Sequence, residues 1–218
     1  MVGSYGVIGN ALEDSIIRGD SAISITKLLI DNGARIRSGI ILQADNFVEV
    51  NPLVTVILKG GVETAKLLIN YGANIEGLHD TMRGPAQVPL EFSTSEGDSL
   101  LHMTKVLVER KARLSGRVLS SAVAAGDKAE KTVSYLIEQG IPVNGESMSV
   151  WTAAQNGDDA LKIVKLLLDK GADVNATHPK KNTEYSLPTL TALHEAASQG
   201  DRAIEVVRLL IEHQADIK

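Results

Sequence analysis

The chain has 218 residues, 44% of them hydrophobic but only 3% aromatic, with a formal charge of −5 and a sequence pI near 5.6. So few aromatics argue against a sandwich or ligand-binding barrel and for a core of Ala, Leu, Ile and Val, which suits stacked helices. The acidic balance gives no general attraction to nucleic-acid phosphates or anionic membranes, and the lack of cysteine excludes disulfide frameworks and thiolate zinc sites. No apolar run approaches the ~20 residues of a membrane span, and no basic-then-apolar leader opens the chain. A soluble intracellular protein, cytoplasmic with the nucleus left open, is the expectation. Lys180-Lys181 is too short to argue for nuclear import, and the Asn175-Ala176-Thr177 triplet is of a kind common by chance.

In chain order, six segments share one amphipathic pattern: 25–36, 64–75, 103–114, 132–143, 163–174 and 206–217. Each places paired apolar residues at helical spacing. Gly33, Gly72, Gly140 and Gly171 then stand where a left-handed C-terminal cap is wanted, and Lys111 and Gln214 replace that glycine at a conformational cost. Upstream of each segment a shorter helical stretch ends at Gly19, Gly60, Gly97, Gly126, Gly157 or Gly200. Seven residues before these glycines stand the apolar anchors Leu12, Leu53, Leu90, Leu119, Val150 and Leu193. The glycines are spaced 41, 37, 29, 31 and 43 residues apart, which predicts a repeating unit of helix, tight turn, helix and extended loop. The repeats fall near 9–36, 50–75, 87–114, 116–143, 147–174 and 190–218, within a single domain covering 1–218.

Thr191-Ala-Leu-His-Glu-Ala-Ala197 resembles the ankyrin signature Thr-Pro-Leu-His-x-Ala-Ala, and Lys165-Leu-Leu-Leu-Asp-Lys-Gly-Ala-Asp-Val-Asn175 resembles that family's second helix and its exit. The resemblance covers roughly residues 9 to 218 and implies an all-α repeat fold, an ankyrin-type solenoid of helix-turn-helix repeats with extended finger loops. The first repeats are degenerate; in style the array is loosely similar to fungal-type ankyrin arrays.

Two departures from the pattern are individual to this chain. In five repeats eight residues separate the first-helix glycine from the second-helix cationic position, as in Gly19 to Lys27, whereas Gly60 to Lys66 keeps six. The glycine of those five is followed by Asp20, Asp98, Asp127, Asp158 or Asp201, which predicts an aspartate cap on a second helix that starts about half a turn early. The second departure is finger length. From second-helix end to next anchor the intervals are 20, 18, 8, 10 and 22 residues, so long fingers flank a notch.

Repeats of this kind pool their apolar faces into one core and present an extended surface, and the resemblance implies a protein partner held by fingers and first helices. Carried over by register, the contact positions are Arg18, Lys59, Phe92, Glu96, Ser121, Thr152, Gln155, Asn156, Glu195 and Gln199. Trp151 stands where the signature has histidine and is a candidate hot-spot residue or an inter-repeat packing group; Tyr185 lies in the long last finger. The expected function is a non-catalytic, monomeric protein-binding module and scaffold. Two alternatives remain: a small-molecule pocket in the notch over Phe92, Ser121 and Thr152, with an unknown catalytic activity, and a structural array within a larger protein. No Gly-x-Gly-x-x-Gly, phosphate loop or nucleophile elbow appears, so neither an enzyme nor a cofactor is expected. His194-Glu195 begins like a zinc-protease helix but lacks the second histidine, and the resemblance implies that His194 bonds structurally between adjacent loops.

Overall fold

Short apolar stretches punctuated by glycine become pairs of helices. The computed structural model describes residues 11–36, 39–43, 46–77, 88–145, 148–177 and 190–217, with the backbone alone over 39–50. Its helices are α1 (Ala11–Ile17), α2 (Ile23–Asp31), α3 (Pro52–Leu58), α4 (Val62–Asn70), α5 (Pro89–Ser95), α6 (Leu101–Glu109), α7 (Gly116–Ala124), α8 (Glu130–Glu138), α9 (Ser149–Ala154), α10 (Leu161–Asp169), α11 (Ala192–Ser198) and α12 (Ile204–Glu212). Between α2 and α3 the first finger carries an antiparallel hairpin of β1 (Gly39–Gln43) and β2 (Asn46–Val50), Gly39 opposite Val50 and Gln43 opposite Asn46. The other two long fingers, 78–87 and 178–189, lie outside the described residues.

The chain divides into two compact units, residues 1–93 with 102–113 and residues 94–101 with 114–218. Within the first, α1 packs on α2 and α3, and α4 on α2 and α3. Within the second, the first helices α7, α9 and α11 lie side by side and the second helices α8, α10 and α12 form a parallel row behind them. Leu53, Ile57, Leu68 and Leu107 are fully buried in the first unit; Leu119, Leu136, Ile163, Leu167 and Leu210 fill the same role in the second. Each such side chain contributes about 1.5–3 kcal/mol on leaving water.

One contact inside the pairs shows how closely residue types are matched. Thr26 Oγ1 donates to Ser15 Oγ at 3.0 Å and Thr104 Oγ1 to Ser93 Oγ at 3.1 Å, both buried. The corresponding residues in the other pairs are Val56 with Ala65, Ala122 with Val133, Ala153 with Val164 and Ala196 with Val207. A hydroxyl occurs at this contact only where its partner also carries one, as burial requires.

The second helices end as expected. Gly33, Gly72, Gly140 and Gly171 adopt φ of 91°, 85°, 93° and 83°, while Lys111 and Gln214 sit in the same left-handed region at 70° and 67°. The capping bonds are intact at both non-glycine sites: Lys111 N–H donates to Val108 O at 2.9 Å and Gln214 N–H to Ile211 O at 2.9 Å. The backbone strain is therefore held by the motif. Lys111→Gly and Gln214→Gly are each expected to raise stability by about 0.5–1 kcal/mol, read as a higher urea midpoint at unchanged slope.

The five Gly-Asp insertions are 3-10 turns leading directly into the second helix: Gly19–Ala22, Gly97–Leu100, Gly126–Ala129, Gly157–Ala160 and Gly200–Ala203. Four of the aspartates cap helices, but not their own. Asp20 accepts Thr64 N–H at 2.7 Å and Glu63 N–H at 3.3 Å. Asp98 accepts Thr132 N–H at 2.8 Å and Lys131 N–H at 3.2 Å. Asp127 Oδ1 takes Lys162 and Ile163 at 2.9 and 3.1 Å, and Asp158 Oδ1 takes Glu205 and Val206, both at 3.0 Å. In every case the donors belong to the second and third residues of the next pair's second helix. The expectation of a self-cap fails because the 3-10 turn intervenes between each aspartate and its own helix, turning the carboxylate outward. The orphan N–H groups it reaches belong to the following repeat.

The glycines before these aspartates serve the same junctions. At Gly97, Gly126 and Gly157 (φ 70°, 68° and 58°) an added Cβ would lie 2.7, 2.7 and 2.5 Å from the carbonyl oxygens of Lys128, Asp159 and Arg202 in the next turn. The second pair has Gly60-Gly61-Val62 in place of the insertion, and its α4 starts directly after Gly61.

Burial pushes the Asp20 carboxyl up, but the N–H groups of Thr64, Glu63 and Val62 and the Thr64 hydroxyl together outweigh it and hold the group below its ordinary value of 3.8. A depressed folded-state value means that this cap's contribution is complete above pH 3.8 and is lost as pH falls through the lower folded value. Asp127→Ala and Asp158→Ala are expected to lose about 0.5–2 kcal/mol each at neutral pH and Asp201→Ala close to nothing, by urea denaturation. The gap between wild type and Asp20→Asn should narrow only below pH 3.8.

Candidate functional site

Because each first helix ends at a glycine with positive φ, the residues just before that glycine stand at the helix end, away from the buried anchor. Arg18 after α1 and Lys59 after α3 are exposed, and Phe92 on α5 is half-buried; all three belong to the first unit. In the second unit Glu96 and Gln155 are exposed, while Ser121 on α7, Trp151 and Thr152 on α9, Asn156, Glu195 on α11 and Gln199 are half-buried. The side-by-side packing of α7, α9 and α11 brings Ser121, Thr152, Gln155 and Glu195 onto one row. Tyr185 lies outside the described residues.

Two further candidate positions make bonds within the fold. Asn156 Nδ2 donates to Ala124 O at 3.2 Å, tying the end of α9 to the end of α7. Gln199 Nε2 donates to Glu195 Oε1 at 3.3 Å, which sets the direction of both side chains on α11.

A cavity of about 540 Å³ opens beside this row, between the loops that leave α8 and α10. It is lined by Val143, Asn144 and Gly145, by Met148 to Trp151, and by Asp173, Ala176 and Thr177. Trp151 is the one contact position from sequence that lines it; Ser121 and Thr152, expected to floor a notch, are not among its walls. Asn144 fastens the two loops: its Oδ1 accepts Asp173 N–H at 2.8 Å and its Nδ2 donates to Gly171 O at 3.0 Å. Ser149 Oγ donates to Val143 O at 2.6 Å, and Met148, at φ 42°, occupies a left-handed conformation unusual for a residue with a side chain.

Sequence reasoning passed over Asn144, although its signal was present. Val143-Asn144 and Val174-Asn175 share a register, and Asn175 repeats the bridge, with Asp216 N–H to Oδ1 at 2.8 Å and Nδ2 to Gln214 O at 3.3 Å. In the first unit Glu76 Oε1 does the same for Arg113 N–H at 2.9 Å. Asn144→Ala is expected to remove two exposed bonds between the loops and lower stability by about 0.5–1.5 kcal/mol, seen as a fall in melting temperature.

The remaining chemistry lies off this row. Asp31 on α2 accepts Lys27 Nζ at 2.6 Å and the Tyr71 hydroxyl; the Lys27 bond holds its carboxyl below the usual range, while bonding to Asp31 raises both partners. This exposed trio contributes little to stability. Among the described residues no group of three His, Asp or Glu is placed to hold a metal ion, and no helix is long and apolar enough to cross a membrane. His194 is a structural residue, and its bonds among the described residues are within its own helix and not between adjacent loops. Its Nδ1 lies 2.8 Å from Thr191 Oγ1 and accepts Thr191 N–H at 3.4 Å, closing the N-terminus of its own helix α11.

Residues 119–218 match the family model described as ankyrin repeats (3 copies). The structure is similar to that of the human ASB11 ankyrin repeat domain, with TM-score 0.69 and 24% identity over 96% of this chain and 86% of that one. It is similar also to the ankyrin repeat domain of Bcl-3, a unique member of the IkappaB protein family, with TM-score 0.67 and 20% identity over 96% of this chain and 88% of that one. No curated protein sequence matches the chain. Helix pairs with left-handed exits, a fingertip hairpin and these matches make residues 119–218 a run of ankyrin repeats and give the chain the ankyrin-repeat fold.

Proposed function

We propose that the chain is a non-catalytic protein-interaction module that holds one protein partner on its first-helix row and finger loops. Ankyrin-repeat domains in general bind other proteins, and the fold is typically non-enzymatic. The observation that carries the proposal here is the row itself. Its apolar anchors are buried, apart from the half-buried Leu193, and what remains outside is a polar series including Glu96, Ser121, Thr152, Gln155 and Glu195, flanked by the half-buried Trp151. A partner's apolar side chain entering the cavity beside Trp151 supplies the anchor that such interfaces concentrate their energy on. Arg18, Lys59 and Phe92 in the first unit, and Tyr185 in the last finger, complete the proposed contact set.

A second reading is favoured by one observation, the cavity volume of about 540 Å³, which falls within the range of small-ligand sites. Native mass spectrometry of protein purified from its own cells separates the two. A stoichiometric protein partner is expected, with its affinity lowered about tenfold or more by Gln155→Arg with Glu195→Arg at unchanged melting temperature. A partner indifferent to both changes removes the row from the contact. A small-molecule adduct that disappears in Trp151→Ala replaces the protein-binding reading with the ligand one.

A further inference from the structure

The cavity beside Trp151 has a charge as well as a volume. Val143, Met148, Val150 and Ala176 give it an apolar lining, and Trp151 adds a half-buried aromatic ring in a chain with no other tryptophan. Met148 keeps a long, adaptable side chain at this lining from a backbone φ of 42°, where glycine would sit without strain. Two of the polar groups are committed to the fold. The Asn144 amide is bonded at both ends to the facing loop, and the Ser149 hydroxyl donates to Val143 O. Asp173 is different. Its Oδ1 accepts Asn175 N–H at 2.9 Å, but its Oδ2 accepts no bond and the residue forms no ion pair among the described residues. Among the described residues it is the one charged group lining the cavity, and no lysine, arginine or histidine lines it. The helix row alongside has the same sign, since Glu96 and Glu195 are the charged members of the second unit's candidate contacts.

We propose that this cavity takes an arginine side chain of the protein partner. The inference rests on the protein-binding reading above and names the group that anchors it. The apolar part of the entering side chain is its stem, which lies against Val143, Met148 and Val150. Its guanidinium stacks on the Trp151 ring and donates to Asp173 Oδ2, a charge-assisted bond beside a cation–π contact. A volume of about 540 Å³ lies within the range that encloses small ligands, so a whole arginine side chain fits. Other occupants match fewer of the walls. A leucine fills the apolar part but covers the Asp173 carboxylate without pairing it, which costs free energy. A glutamate or phosphate meets that carboxylate as a like charge. Lysine supplies the opposite charge, but on a compact, strongly hydrated ammonium, whereas the guanidinium is planar, more weakly hydrated and able to stack.

Because Trp151 is the sole tryptophan, its fluorescence reports on this cavity alone. The full chain is titrated with Nα-acetyl-arginine amide, with the matching citrulline and norleucine amides, and with free arginine. The arginine amide is expected to change the emission saturably, with a Kd on the order of 1 mM, the range open to a lone side chain. The citrulline amide keeps the shape without the charge and is expected to bind about tenfold more weakly. Asp173→Asn keeps an acceptor for Asn175 N–H, so the melting temperature should hold while the preference for arginine over citrulline disappears. The proposal is overturned by an arginine amide that gives no saturable change, or by citrulline or norleucine amides that bind as well. Arginine binding unmoved by Asp173→Asn overturns it too, and free arginine binding about tenfold tighter than the amide makes the ligand a small molecule instead. A cavity that selects arginine amide while no protein co-purifies sinks the partner reading alone. A protein partner with no arginine response sinks this inference alone.

Discussion

An aspartate carboxylate set against the first turn of the next repeat's second helix is the interaction on which this array depends. A helix start carries N–H groups with no partner in their own helix and a partial positive charge, and a stack of short helices repeats that problem at every step. For four of the second helices the solution is supplied from next door: Asp20 to α4, Asp98 to α8, Asp127 to α10 and Asp158 to α12. Stability and register are thereby joined, because a pair that slipped by one residue would leave both a carboxylate and two N–H groups unmatched.

Close approach is the second requirement. The carbonyl of the next turn passes within 2.7 Å of where a Cβ would stand on Gly97, Gly126 or Gly157, so glycine is needed there for space as well as for its positive φ. At the far end of the loops the same logic recurs with a neutral side chain, Asn144 and Asn175 reaching across to the backbone of the following exit. Two ladders of side-chain-to-backbone bonds, one at the helix starts and one at the loops, hold successive pairs while the apolar anchors fill the space between.

Those ladders use the turns and loop bases and leave the first-helix row outside them. Asn156 belongs to both jobs, since its amide holds Ala124 O while its position lies among the proposed contacts. The cavity beside Trp151 arises where two loops are fastened by Asn144, so its shape is a consequence of stacking and its walls come from segments far apart in the chain.

Much of this was legible in the sequence by itself. Helical periodicity located the second helices, the glycines marked their exits, and the non-glycine exits at Lys111 and Gln214 were readable because a local motif demands one conformation whatever residue fills it. These are local constraints, set by neighbours three or four residues away. Which helix each aspartate caps was decided only by the tertiary structure, because Asp127 and its donors Lys162 and Ile163 are 35 and 36 residues apart and meet only after stacking. For the same reason His194 was recognisable as structural but not as the closing group of its own helix, and the cavity wall at Asn144 gave no sign of enclosing a space. Propensity and pattern act within a turn or two of chain; partners across a junction are chosen by packing.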